Sequence, residues 1–482
     1  MSAVEYEPVI GLEIHVQLKT RTKMFCACDV TFGEPPNTHT CPVCLGLPGA
    51  LPVTNERAVD FAVRIGLALG CEIAERSIFH RKNYFYPDNP KGYQISQYDI
   101  PICRGGHLGD VRIHRVHLEE DAAKLNHLGH SGRIHGADRS WVDFNRCGTP
   151  LVEVVTEPDI HDPEHAREWL IVLRETLRQI GVSDVDMSQG SLRCDANVSV
   201  RPAGTHELGT KTELKNMNSF AFLERGVRKE IERQVELIRG GGTVVQETLH
   251  FDPSSDELTP LRSKEEAHDY RYFPEPDLVP LLVTEGMVDA ARAELPDELP
   301  TERADRLERE LGLSADRARM FTFRPELGAY FERSLSAAAN GADATAVANW
   351  IEQLIERIGS DVDPATSLVA PEALAALAGL VASGEVSRDA GREVLTKLVD
   401  EGGDPRAIVE REGLGALRAD DGGELIEIVD AAIASDPGAA EKVRAGNAKA
   451  TGPLVGYVMR ETKGRADGGE VRRLILERLG QA

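Results

Sequence analysis

The sequence predicts an α+β fold in its first half and an all-helical second half, and two observations carry that prediction. From Pro8 to about Pro280 the chain is punctuated by Gly and Pro and runs in short stretches of alternating apolar and polar residues, with helical patterns at about 162–181 and 219–239. From about Val288 onward, long runs rich in Ala, Glu, Leu and Arg dominate, broken at Pro371, Gly384 and Gly402-Gly403. Pro280, Pro296 and Pro300 mark the main boundary, and a second break near 402–413 sets off a small C-terminal bundle. The expected domains are therefore 1–290, 291–408 and 409–482.

In the first strand pattern, Ile10, Leu12, Ile14, Val16 and Leu18 alternate with Gly11, Glu13, His15, Gln17 and Lys19. Period-2 geometry buries the first set and presents Glu13 beside His15 on the other face. Next come Cys26-Ala-Cys28 and Cys41-Pro-Val-Cys44, two knuckles at the spacing of a tetrahedral metal site. Four sulfur ligands leave zinc no open position, so a structural zinc is expected, with free buried thiols as the alternative. The stretch from His80 to Gln94 combines Arg81, Lys82 and Lys91 with Tyr84, Phe85, Tyr86 and Tyr93 around a Pro87-Asp88-Asn89-Pro90 turn. It could contact phosphates or stack a base, although aromatics at such density also serve as core.

Three later strand patterns carry acids. Val116 to Asp121 ends in three carboxylates, with Val116, Leu118 and Glu120 on one face; Glu153 sits inside the apolar run Pro150–Val155. Ser191–Val200 groups Arg193, Asp195, Asn197 and Ser199 opposite Leu192, Cys194, Ala196 and Val198. A carboxylate in an apolar run is costly unless it meets a cation. Any one of these faces could merely be half-solvated; together, Glu13, His15, Glu120, Glu153 and Asp195 supply hard oxygen ligands and one imidazole, a set suited to magnesium holding nucleotide phosphates. The chain lacks a Gly-x-x-x-x-Gly-Lys-Ser/Thr loop, so a bound nucleotide would not use a P-loop.

The net charge of −24 argues against a nucleic-acid partner only in bulk. The acids are spread over predicted helix surfaces such as 293–320 and 405–430, as on a surface adapted to high salt, so a positive patch must be sought locally. No basic start precedes an apolar stretch, and no window approaches about 18 apolar residues, so no signal peptide, no membrane span and a cytoplasmic location are expected. Of the eight cysteines, Cys71, Cys103, Cys147 and Cys194 are scattered, as reduced thiols would be.

The stretches Val9–Leu18, Cys41–Gly49, Arg81–Lys91, His117–Asp121, Asn145–Glu153, Gly190–Asn197, Glu213–Asn218, Asp269–Asp277, Gly446–Gly452 and Thr462–Gly464 together resemble the B subunit of the heterotrimeric aspartyl/glutamyl-tRNA amidotransferases, the GatB family. The resemblance spans nearly the whole chain. It implies a cradle domain with an antiparallel sheet, similar to the catalytic domain of glutamine synthetase, then a helical domain and a small YqeY-like tail. It also implies the reaction: ATP phosphorylates the side-chain carboxylate of Asp or Glu misacylated on tRNA, and ammonia displaces phosphate. On this resemblance Glu13, His15, Glu120 and Glu153 are the catalytic residues and magnesium ligands. Lys82, Lys91, Arg193, Asp195 and Asn197 are expected at the nucleotide or substrate, with Lys82 and Lys91 along an ammonia route.

The implied partners are the amidase (GatA-type) subunit that supplies ammonia from glutamine, the small GatC-type subunit, and misacylated tRNA. Nothing in the chain resembles the Ser-cis-Ser-Lys amidase. The tail would contact tRNA through a local patch of Lys442, Arg444, Lys449, Arg460, Lys463 and Arg465, with Lys449, Arg460 and Lys463 as its centre. Two other readings are the E subunit of a two-subunit Glu-tRNA amidotransferase, for which the run Pro280–Pro300 is too short to hold the extra domain, and a non-catalytic zinc-stabilised tRNA-binding scaffold. Whether Asp-tRNA, Glu-tRNA or both are substrates is not written in the sequence.

Overall fold

The computed structural model describes residues 4–128, 137–262, 270–338, 342–359, 362–417 and 423–480. Five strands position the site: β1 (Tyr6–Gln17), β2 (Val111–Glu120), β3 (Pro150–Thr156), β4 (Leu192–Pro202) and β5 (Thr212–Met217). β1 is central, antiparallel to β3 on one side and to β4 on the other; β2 continues beyond β3 and β5 beyond β4. Short strands extend both edges to a 10-stranded sheet. Every pairing in it is antiparallel except that of β5 with Thr248–Asp252.

The alternation along β1 decides what each face does. Ile10, Leu12, Ile14 and Val16 are fully buried with Val116, Leu118, Val152, Val154, Leu192, Cys194 and Ala196 in one core. Three helices cover that face: α1 (Glu56–Ala68), α2 (Pro163–Gln179) and α3 (Phe220–Arg239). Trp169 and Leu173 of α2 and Leu223 and Val227 of α3 belong to the same core, and the Trp169 indole N–H donates to the Leu108 carbonyl at 2.9 Å. Side chains cap all three helices: Asn55 accepts from Arg57 and Ala58 N–H, Asp162 from His165 N–H and Ser219 from Phe222 N–H. The opposite face of the sheet is left to polar groups.

The chain divides into two compact units, Met1–Thr301 and Glu302–Ala482. The division falls later than the expected boundary at residue 290 because the helix Glu285–Ala293 packs on the first core: Ala291 is fully buried there, and Glu294 pairs with Arg64 at 3.0 Å. Alanine-rich composition does not distinguish a helix lying on a sheet from one in a bundle. In the second unit every described element is helical. Its buried residues form two clusters, one within Leu307–Leu414 and one within Leu417–Leu479. No helix among the described residues is long and apolar enough to cross a membrane.

Candidate functional site

The register of four strands lines up one polar row. Glu153 lies opposite His15 on one side and His117 on the other, and His15 lies opposite Arg193. Around Glu153 the side chains converge: His15 Nε2 is 3.7 Å from Glu153 Oε2 and 3.9 Å from Glu119 Oε1, while His117 Nε2 is 3.2 Å and 3.8 Å from Oε2 of Glu153 and Glu119. His15, Glu119 and Glu153 offer ligand atoms close enough to share one metal ion.

Burial would neutralise this cluster, but its own charges hold it ionised. Against desolvation, His117 and His15 keep the Glu153 carboxyl well below the usual range, and a hydrogen bond from His117 lowers that of Glu119. Reciprocally, Glu153 and Glu119 outweigh the desolvation of His117 and raise it to about 9. Arg115 Nε reaches His117 Nδ1 only at the long distance of 3.4 Å, so the two carboxylates dominate the imidazole. Lys82 is desolvated yet raised by Glu119, Tyr272 and Glu153, and its ammonium sits 4.8 Å over the Tyr270 ring.

Glu13 belongs to a second group on the same face. Its carboxylate meets those of Asp195 and Glu213, again at metal-sharing separation. Lys215 Nζ is 2.8 Å from Asp195 and 2.6 Å from Glu213, and Asn197 Nδ2 donates to Glu13 at 2.9 Å. Burial and then the charge of Glu153 push the Glu13 carboxyl up, against the hydrogen bond from Asn197. Arg193 is tied to the fully buried Asp121 at 2.9 Å, and Asp121 also accepts from Gln17 at 2.6 Å.

Glu120 is not brought to this face. One residue beyond Glu119, it points with Val116 and Leu118 to the other side of β2, where it pairs with Lys91 and accepts from Ile95 N–H at 3.0 Å. The pair lines a cavity of about 200 Å³ together with Lys23, Cys26, Cys44 and Gly148. Lys82 and Lys91, grouped by their spacing in the sequence, therefore serve different places. Arg81 is structural: it grips Glu275 through two bonds of 2.7 and 2.8 Å and stacks 4.2 Å over Tyr93.

The sulfurs of Cys26, Cys28, Cys41 and Cys44 converge within 4.8 Å of one another. Cys41 N–H donates to Cys44 Sγ at 3.2 Å, and a hydrogen bond from Cys26 lowers the Cys44 thiol to about 4. Four thiols, one already favouring the thiolate, fit a tetrahedral thiophilic metal. The loop between the pairs docks on the segment before β3: Asn37 N–H donates to Asp143, Phe144 N–H to Asn37, and His39 N–H to Asn145. All eight cysteines are free.

In the tail, Lys449, Arg460 and Lys463 are exposed and form no ion pair among the described residues, whereas Arg465, Arg473 and Arg478 pair with Glu424, Glu477 and Asp430. Lys463 holds a left-handed φ of 51°, an uncommon conformation for a side chain of this size.

Residues 8–289 match the family model described as the GatB/GatE catalytic domain, and residues 329–479 match one described as the GatB domain. The chain belongs to the GatB family. It is 48% identical to the B subunit of the aspartyl/glutamyl-tRNA(Asn/Gln) amidotransferase of Geobacter sulfurreducens, over 99% of this chain and all of that protein. It is 51% identical to the subunit of the same name from Frankia casuarinae, over 98% of this chain and 96% of that one. For the Brevibacillus brevis subunit the figure is 47%, over 98% of each.

Sequence reasoning missed Glu119, His117, Glu213 and Lys215. The signal for Glu119 was present: Glu120 shares its face with Val116 and Leu118, both core residues, so parity alone assigns the polar face to His117 and Glu119. Glu213 and Lys215 alternate in the same way across Leu214, which is fully buried. Asp269, at the start of one matching stretch, lies outside the described residues.

Proposed function

We propose that this chain is the carboxylate-activating subunit of a tRNA-dependent amidotransferase, an ATP-dependent carbon-nitrogen ligase acting on Asp-tRNA(Asn), Glu-tRNA(Gln) or both. The single observation that carries the chemistry is the buried junction of His15, Glu119 and Glu153 on one sheet face, with Glu13, Asp195 and Glu213 beside it. A carboxylate is a poor electrophile until one of its oxygens becomes a leaving group. In the proposed sequence that oxygen attacks the γ-phosphorus of ATP and ADP departs; ammonia then attacks the acyl carbon and phosphate leaves with the oxygen.

His15, Glu119 and Glu153 would hold magnesium, and Glu13 with Asp195 and Glu213 is the second acidic set available. When bound, the ion neutralises charge on the transferring phosphoryl. The protein's own part is to keep these ligands fixed and anionic. His117 orients both Glu119 and Glu153, Asn197 orients Glu13, and Lys82 and Arg193 add fixed positive charge beside the face. A cation beside Glu13 would offset both its burial and the charge of the neighbouring Glu153. Ammonia comes from the amidase partner, with the small GatC-type partner completing a heterotrimer, and the Lys91–Glu120 pair lies on its route. Residues 1–301 correspond to a glutamine-synthetase-like cradle, the cluster within Leu307–Leu414 to the helical domain and that within Leu417–Leu479 to a YqeY-like tail; the four cysteines hold a structural zinc, and the assembly works in the cytoplasm.

In the tail, Lys449, Arg460 and Lys463 have no acidic partner among the described residues of a strongly acidic chain, which favours them as the tRNA phosphate contacts. The test is ATP-dependent amidation of each misacylated tRNA by the chain assembled with its partners. Amide formation on at least one is expected, and inactivity on both overturns the proposal. In the same assay, Lys449→Glu/Arg460→Glu/Lys463→Glu should raise KM for tRNA with kcat largely kept; an unchanged KM removes the tail from the interface.

A further inference from the structure

Lys23 is only 1% exposed, and its ammonium is held at three points. It donates to the carbonyls of His39 at 2.7 Å and Phe144 at 3.1 Å and lies 3.7 Å from Cys44 Sγ. A buried ammonium normally demands a carboxylate. Both carboxylates that line the adjoining cavity are engaged elsewhere, Glu120 by Lys91 and Asp277 by Arg81. The ionisable group at hydrogen-bonding distance from Lys23 among the described residues is the Cys44 sulfur.

Four thiolates around a divalent metal carry a net charge of about −2, which is expensive in a partly dry site. We infer that Lys23 is the built-in counter-ion of the four-cysteine centre, holding Cys44 as an anionic ligand and slowing loss of the metal. The inference rests on the metal-centre reading. The same ammonium has a second effect: its bond to His39 lies in the loop between the cysteine pairs, and its bond to Phe144 lies in the segment that leads into β3. Metal retention and the seating of that loop thus share one side chain.

The full chain and its Lys23→Met variant, which keeps the apolar stem and removes the charge, are purified with zinc and their metal content is measured. Release of zinc to the chromophoric chelator pyridylazoresorcinol is then followed. The variant should release zinc about ten- to a hundredfold faster, the range for a lost outer partner of a metal ligand, and Lys23→Arg should stay near the wild-type rate. With cobalt in place of zinc, the thiolate-to-metal charge-transfer band of Lys23→Met should move to lower energy, because its sulfur electrons are no longer stabilised by the ammonium. A merely structural role would leave that band in place.

Wild-type chain that takes up no zinc overturns the metal centre itself. Wild-type chain that holds zinc, with Lys23→Met releasing it at the same rate and showing an unmoved cobalt band, overturns the role of Lys23 alone. Should Lys23→Met not fold, Lys23→Gln, which keeps a donor for the carbonyls, is measured with the same expectations and the same overturning results.

Discussion

Glutamine in place of Glu153 is expected to lower ATP-dependent amide formation on misacylated tRNA by about 10³-fold, the scale on which a single charge-stabilising contact is lost from an active site. Glu153 sits between His15 and His117, so the change removes a proposed metal ligand and the counter-charge of a buried imidazole together. The substitution is isosteric; its effect is electrostatic. It has a signature in stability as well. His117 is raised to about 9 in the folded chain, so the stability it contributes is full below its unfolded value of about 6.5 and is lost as pH rises through 9. Urea denaturation with chelator present should show the wild type weakening across that window, and Glu153→Gln should flatten the slope. Full amidation activity in a folded Glu153→Gln chain would remove the residue from the chemistry.

The second large effect separates two adjacent acids. Glu119→Gln is expected to behave as Glu153→Gln does and to raise the magnesium concentration needed for half-maximal activity. Glu120→Gln is expected to leave that magnesium requirement unchanged. Its cost should appear as stability, because Lys91 then keeps a buried charge without its carboxylate, a loss of about 3 kcal/mol measurable in urea. The opposite pattern, with Glu120→Gln shifting the magnesium dependence and Glu119→Gln not, would return the ligand role to Glu120.

This pair of acids shows where the sequence is readable and where it is not. The alternation along Ile10–Leu18 and Leu192–Val200 describes β1 and β4 as they are, because one face of each is sealed by helices and tolerates only apolar residues. Cysteine spacing is equally legible, since the four sulfurs converge whatever the loop between them does. Helices α2 and α3 are announced by the helical patterns at about 162–181 and 219–239. Register is harder. That Glu153 meets His117 depends on how β2 lies against β3, and no local pattern states it. The separation of Glu13 from Glu153 into two groups has the same origin, because Asp195 and Glu213 reach Glu13 through β4 and β5. Lys23 could not be singled out from sequence either; its meaning lies in what surrounds it.

The central claim is that this sheet face activates a carboxylate by phosphorylation. Aspartyl- or glutamyl-tRNA carrying heavy oxygen in its side-chain carboxylate, supplied with ATP, ammonia and the assembled enzyme, tests it in one turnover. Each phosphate released should carry one heavy oxygen from the substrate, with an equal amount of amide formed. Amide formed with unlabelled phosphate would contradict the account.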